Sequence, residues 1–154
     1  MNELLQLRID EARISGAVSL DLSALGLTSL PEEVTAFDGL QQLDLSHNQL
    51  IDLPPSLGAL TQLRSLVLDG NQLEHVPDVV RRLERLEVLR LDGNPIARLP
   101  NWLPQLGTLR DLSVRTCPLA DAEVLQLVAP SLEALAIDQP LMRFDLALEK
   151  RIPC

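Results

Sequence analysis

Aliphatic residues return every 23 positions along most of this chain. Counting from Leu40, Leu63, Leu86, Leu109 and Leu132, with Ala17 as a degenerate first member, each copy places Leu three residues later (20, 43, 66, 89, 112, 135). It places Leu, Val or Ile five residues later (22, 45, 68, 91, 114, 137). Around these columns the pattern alternates: Leu66 and Leu68 point one way, and Ser65, Val67 and Asp69 the other, which is the period-two pattern of a strand. A period of this length predicts a solenoid. Each coil supplies one short strand, and successive coils stack their strands in parallel over one continuous aliphatic core.

Two further columns refine each coil. Eight residues after the start come Leu25, Asn48, Asn71, Asn94, Cys117 and Pro140. A buried carboxamide there can satisfy backbone groups left unpaired by the turn out of the strand. The asparagines therefore read as structural, Cys117 as a small buried substitute, and Pro140 as the mark of a worn last copy. Ten residues after the start an aliphatic position recurs, from Leu27 to Met142. A Leu-Pro or Val-Pro pair then follows at 30–31, 53–54, 76–77 and 99–100. Apolar pairs spaced by three come next (Val34 and Phe37, Leu57 and Leu60, Val80 and Leu83, Leu103 and Leu106), which predicts a 3-10 turn or short helix on the back of each coil. Residues 77–87 look the most helical of these segments. In the fifth copy 121–128 reads as a fuller helix begun by an aspartate cap.

The unit L-x-x-L-x-L-x-x-N-x-L, seen in residues 63–73 (LRSLVLDGNQL), resembles the leucine-rich repeat. The Leu-Pro signal resembles its 23-residue intracellular class, that of Ras-suppressor, plant intracellular and Roco-type repeats. The resemblance implies an α/β solenoid, a right-handed superhelix of about six repeats. A parallel sheet would line its concave face and short helices or 3-10 turns its convex face. We read 1–154 as a single domain: a helical N-terminal cap at 1–15, six repeats over 16–142 and a C-terminal cap at 143–154, where Phe144 would help seal the stack. Open coils need such caps to cover apolar ends and free strand edges.

With 154 residues, 46% of them hydrophobic, the chain is long enough for one packed core. Its formal charge of -9 argues against nucleic acid, which favours basic stripes. No apolar run reaches membrane length, and the N-terminus carries charges of both signs where a signal peptide would be apolar. Only Cys117 and Cys154 are present, in different copies, so cysteine-paired caps are not expected and a reducing, cytoplasmic setting is. Delivery as a secreted effector stays open.

Catalysis is not expected, nor any cofactor or metal. His47 and Cys117 lie three layers apart, about 15 Å, against the ~3 Å a nucleophile and base require. His75 falls elsewhere on the coil, and no set of ligands converges on a zinc geometry. Lys150 is the only lysine, and no glycine-rich phosphate loop is present. The GTPase part of Roco-type proteins and the cysteine-dependent ligase of some bacterial effectors are therefore not expected here.

Binding through the concave sheet remains. Its outward side chains include Asp44, Val67, Arg90, Val88, Asp69, Asp92 and Arg115. Val67, Val88 and Arg90 break the repeat consensus; the two valines make a small apolar spot beside Arg90, rimmed by Asp44, Asp69 and Asp92 and complementary to a protein or peptide with an apolar centre and a basic rim. The aspartates also fit ordinary repeat phrases, Leu-Asp-Gly-Asn and Leu-Asp-Leu-Ser. Trp102 falls on the convex or edge side, where packing and partner anchoring compete. Six strands span roughly 25 Å, room for a helix of about 16 residues. The alternative is a homodimer formed through Val67, Val88 or an imperfect cap, with Cys154 as an intermolecular thiol; a monomer is preferred.

Overall fold

The computed structural model describes residues 3–120 and 123–138. Six three-residue strands, β1 (Ser19–Asp21), β2 (Gln42–Asp44), β3 (Ser65–Val67), β4 (Val88–Arg90), β5 (Asp111–Ser113) and β6 (Ala134–Ala136), form one open parallel sheet in chain order. The register steps by 23 throughout, pairing Leu20 with Leu43, Leu43 with Leu66, and so on to Leu112 with Leu135. Pairing outlasts the formal strands: the Leu45 amide donates to the Val67 carbonyl at 2.8 Å and the His47 amide to the Asp69 carbonyl at 2.7 Å. The leucine columns at 20–135 and 22–114 are buried and join the repeat starts and the back-face residues in one core.

The asparagine column is a continuous hydrogen-bonded ladder. Asn71 Nδ2 donates to the carbonyls of Leu45 and Leu68, both at 3.0 Å, and its Oδ1 accepts from the Leu50 amide at 3.0 Å. Asn48 and Asn94 repeat this pattern one coil to either side. Each strand-exit carbonyl thus serves two coils: Leu45 O accepts from Asn48 and Asn71, and Leu68 O from Asn71 and Asn94. Cys117 holds the same place with less capacity, its Sγ donating to Leu91 O at 3.2 Å. Burial pushes the Cys117 thiol pKa up, and nearby carboxylates add to the shift.

One column escaped the sequence reading. The residue before each ladder position has a left-handed backbone in five successive coils: Ala24 (φ 55°), His47 (56°), Gly70 (64°), Gly93 (67°) and Thr116 (53°). Glycine accepts this conformation freely, whereas a side chain there costs about 1–2 kcal/mol. Gly70 has a second reason to be glycine, since a Cβ on it would lie 2.7 Å from His47 Nδ1.

On the back, 3-10 turns at Glu32–Ala36, Pro55–Ala59, Asp78–Arg82 and Leu103–Gln105 bury Val34, Leu57, Val80 and Leu103. Pro31 and Pro54 precede the first two with extended backbone (φ -61°, -68°), a geometry proline presets. The expectation that the third segment would be the most helical fails: Asp78–Arg82 is a 3-10 turn of the same length as its predecessors, held by the same i to i+3 bonds. The fifth copy does differ, with an α-helix, α2, at Glu123–Val128. Its expected aspartate cap at 121 lies outside the described residues. So do Pro140, Met142, Phe144, Cys154 and the C-terminal cap.

The helix α1 (Glu3–Ser15) covers β1 by burying Leu5, Ile9 and Ala12. Arg8 adds a bond to the Asp21 carbonyl at 2.8 Å and an ion pair to its carboxylate at 3.4 Å. No helix of the described residues is long and apolar enough to cross a membrane.

Candidate functional site

The pleat of β2 to β5 sets the candidate site. With Leu43, Leu66, Leu89 and Leu112 buried beneath, the residues on either side of them must face outward. Register places Asp44 beside Val67 and Val67 beside Arg90, with Ser65 beside Val88. Val67 and Val88 are therefore diagonal neighbours on one face, both half-buried, and Arg90 flanks Val67 directly.

Arg90 is held in place. Its Nε donates to Asp69 Oδ2 at 2.9 Å, and Nη2 lies 3.5 Å from Asp92 Oδ2. Partial burial works against its charge, but Asp69, Asp92 and Asp111 together raise its pKa above the ordinary guanidinium value. Asp69 and Asp92 also work within the fold. Asp69 Oδ1 accepts from the Asp92 amide at 2.8 Å, and Asp92 Oδ1 from the Arg115 amide at 2.7 Å and the Ser113 hydroxyl at 2.6 Å. The phrase Leu-Asp-Gly-Asn can thus be read residue by residue: core leucine, carboxylate for the next coil's amide, left-handed turn, ladder amide.

The other acids divide. Asp44 Oδ1 accepts from its own Ser46 amide at 2.8 Å and Asp21 Oδ1 from the Ser23 amide at 2.8 Å. The Ser23 bonds hold the Asp21 pKa below the usual carboxylate value, with help from Arg8. Asp138 accepts from the Thr116 amide. Among the described residues the Asp111 carboxylate makes no hydrogen bond or ion pair.

The structure brings together Asp44, Val67, Val88, Arg90, Asp69 and Asp92, with exposed Arg115 at the exit of β5. Trp102 is not with them. It sits on the back, half-buried against the core, its indole Nε1 donating to Asp78 Oδ1 at 3.2 Å one coil earlier. Arg85 donates to Gln62 at 2.7 Å, and Glu87 pairs with Arg64 across coils.

Sequence reading passed over a charge column as well. One residue before the strands, positions 64, 87, 110 and 133 alternate Arg, Glu, Arg, Glu, with ion pairs Arg64–Glu87 and Arg110–Glu133, the latter at 3.9 Å. Alternating sign at 23-residue spacing was the available signal.

A leucine-rich repeat region model matches residues 4–147. A search of curated proteins returns no match. Among solved structures, a leucine-rich repeat protein of Leptospira interrogans is 32% identical with a TM-score of 0.68, over 76% of this chain and 30% of that one. The leucine-rich repeat domain of a Shigella effector is 26% identical, TM-score 0.69, over 86% and 54%. A TLR13–ssRNA13 complex is 30% identical, TM-score 0.66, over 78% and 18%. The chain thus spans less than a third of the Leptospira protein and about half of the Shigella domain. The match along nearly the whole sequence, the 23-residue register and the asparagine ladder agree, and the chain belongs to the leucine-rich repeat family.

Proposed function

We propose that this chain is a non-catalytic interaction module of the cytoplasm that binds a protein or peptide through its concave sheet. One observation carries the reading: two half-buried valines that break the repeat consensus, Val67 and Val88, lie on a hydrogen-bonded sheet beside an arginine paired with two carboxylates. Preordered apolar and charged groups lose little freedom on binding, which suits a recognition surface. Kinship with an effector's leucine-rich repeat domain supports a protein partner. The TLR13 structure holds RNA, but this face carries Asp21, Asp44, Asp69, Asp92, Asp111 and Asp138 against Arg90 and Arg115, a balance that repels phosphates.

Affinity capture from the native cytosol tests the proposal, with the captured protein then purified and titrated against wild type and Val67→Asp. Arg90→Glu is a poor companion variant, because it would set a third carboxylate between Asp69 and Asp92. The expected result is loss of about tenfold or more in affinity, the worth of one buried apolar contact turned polar, with an unchanged circular dichroism spectrum. Equal affinity for both proteins would move the site off this face.

A further inference from the structure

The cleft at the strand-entry side of β4 to β6 has a more specific chemistry than the sheet as a whole. It encloses about 530 Å³ between Glu87, Val88, Thr108, Asp111, Glu133 and Ala134. Register fixes its floor: Asp111 lies between Val88 on one strand and Ala134 on the next, so a carboxylate stands between two apolar neighbours, one of them small. That carboxylate is half-buried and makes no hydrogen bond or ion pair among the described residues, unlike Asp69 and Asp92 beside it.

Neither nearby cation pairs with it: Arg90, whose charge Asp111 helps to stabilise, is bonded to Asp69 and paired with Asp92. Arg110 turns its Nη1 back to the carbonyls of Gly107 (3.0 Å) and Leu109 (3.1 Å), and its Nε reaches Glu133 only at 3.9 Å. Glu133 is itself 79% exposed, loosely held and able to swing toward a second cation. The Thr108 hydroxyl spends its hydrogen on the carbonyls of Glu84 and Leu86, so it offers a ligand no donor, and the charged acceptors of the cleft are its carboxylates.

We propose that this cleft takes one arginine or lysine side chain of the bound protein, its stem lying along Val88 and Ala134 and its charged head between Asp111 and Glu133. This rests on the reading that the concave sheet binds a protein, and it names the chemistry recognised there. A long aliphatic stem matches the apolar floor, and a head with several donors matches two acceptors. Charge complementarity selects this occupant over an acidic or purely apolar one.

The test uses the full chain labelled with 15N and a blocked pentapeptide carrying one arginine flanked by leucines, beside the same peptide with citrulline or glutamate in its place. The expected result is saturable amide shifts at Asp111 and Ala134 for the arginine peptide, with the citrulline peptide weaker by about tenfold, as for a hydrogen bond to a charged group. Asp111→Asn should weaken the arginine peptide by a similar factor, and Ala134→Leu should block it sterically without touching the charge. Absence of saturable shifts, equal shifts with citrulline, shifts centred on Asp44 or Asp138, or undiminished binding by Asp111→Asn would each overturn the proposal. If capture of the partner stays sensitive to Val67→Asp while the peptide results fail, only the cleft assignment falls and sheet binding stands.

Discussion

Replacing Asn71 by alanine should be among the most damaging changes on the turn side of the coil. The carboxamide is 6% exposed and bonds to Leu45 O, Leu68 O and the Leu50 amide, each at 3.0 Å. Both carbonyls keep a partner after the change, because Asn48 still serves Leu45 and Asn94 still serves Leu68. The Leu50 amide loses the acceptor it has. An orphaned buried amide costs about 1–3 kcal/mol and each of the two lost bonds about 0.5–1.5 kcal/mol, together roughly 2–6 kcal/mol. That is a large share of the roughly 5–15 kcal/mol that holds a domain folded. Urea unfolding followed by circular dichroism measures it, with an unchanged slope expected. The reciprocal change, Cys117→Asn, supplies a carboxamide opposite Ile96, which stands where Leu27, Leu50 and Leu73 meet their asparagines. It should stabilise the chain by about 1 kcal/mol. A cost below about 1 kcal/mol for Asn71→Ala, or a loss on Cys117→Asn, would refute the ladder as the tie between coils.

Other expectations follow from neighbouring columns. Gly70→Ala should lower stability by about 2 kcal/mol in the same assay, from left-handed strain and the contact with His47, while Ala24→Gly should be neutral or stabilising. Glu87→Lys replaces an attraction to Arg64 by repulsion, so a loss of up to about 1 kcal/mol should shrink in high salt. Asp21 has a folded pKa below the ordinary 3.8, so its contribution is present above that value and lost as pH falls through the lower folded one. Asp21→Asn should therefore destabilise the chain at neutral pH and make no difference in strong acid. A variant gap that persists unchanged in acid would show that the carboxylate's charge is not what stabilises. Light scattering over a range of concentrations should give a monomer mass throughout.

The parts legible in the sequence were those set by side-chain chemistry at a fixed period. Leucine columns, the asparagine ladder and the Leu-Pro entry to the back all depend on residue types that few others can replace. The left-handed column was harder to see because Ala24, His47 and Thr116 occupy it beside Gly70 and Gly93. Only the two glycines advertised a backbone requirement that the register imposes on every coil. Helix content on the back was misjudged in the third copy because charge and helix propensity favoured an α-helix, whereas the short span between proline and the next strand leaves room for a 3-10 turn. At the site, register alone put Val67 beside Arg90. The division of the acids into tied ones, Asp69 and Asp92, and the unpaired Asp111 depends on side-chain geometry that spacing does not encode.

Concave binding separates most cleanly from convex binding by methyl and indole NMR of the labelled chain during titration with its captured partner. Val67 and Val88 report the sheet, and the Trp102 indole reports the back, where it bonds to Asp78. The two valine methyls should shift with saturation while the indole resonance stays in place. Movement of the Trp102 indole with both valines unperturbed would put the interface on the convex side and refute concave binding.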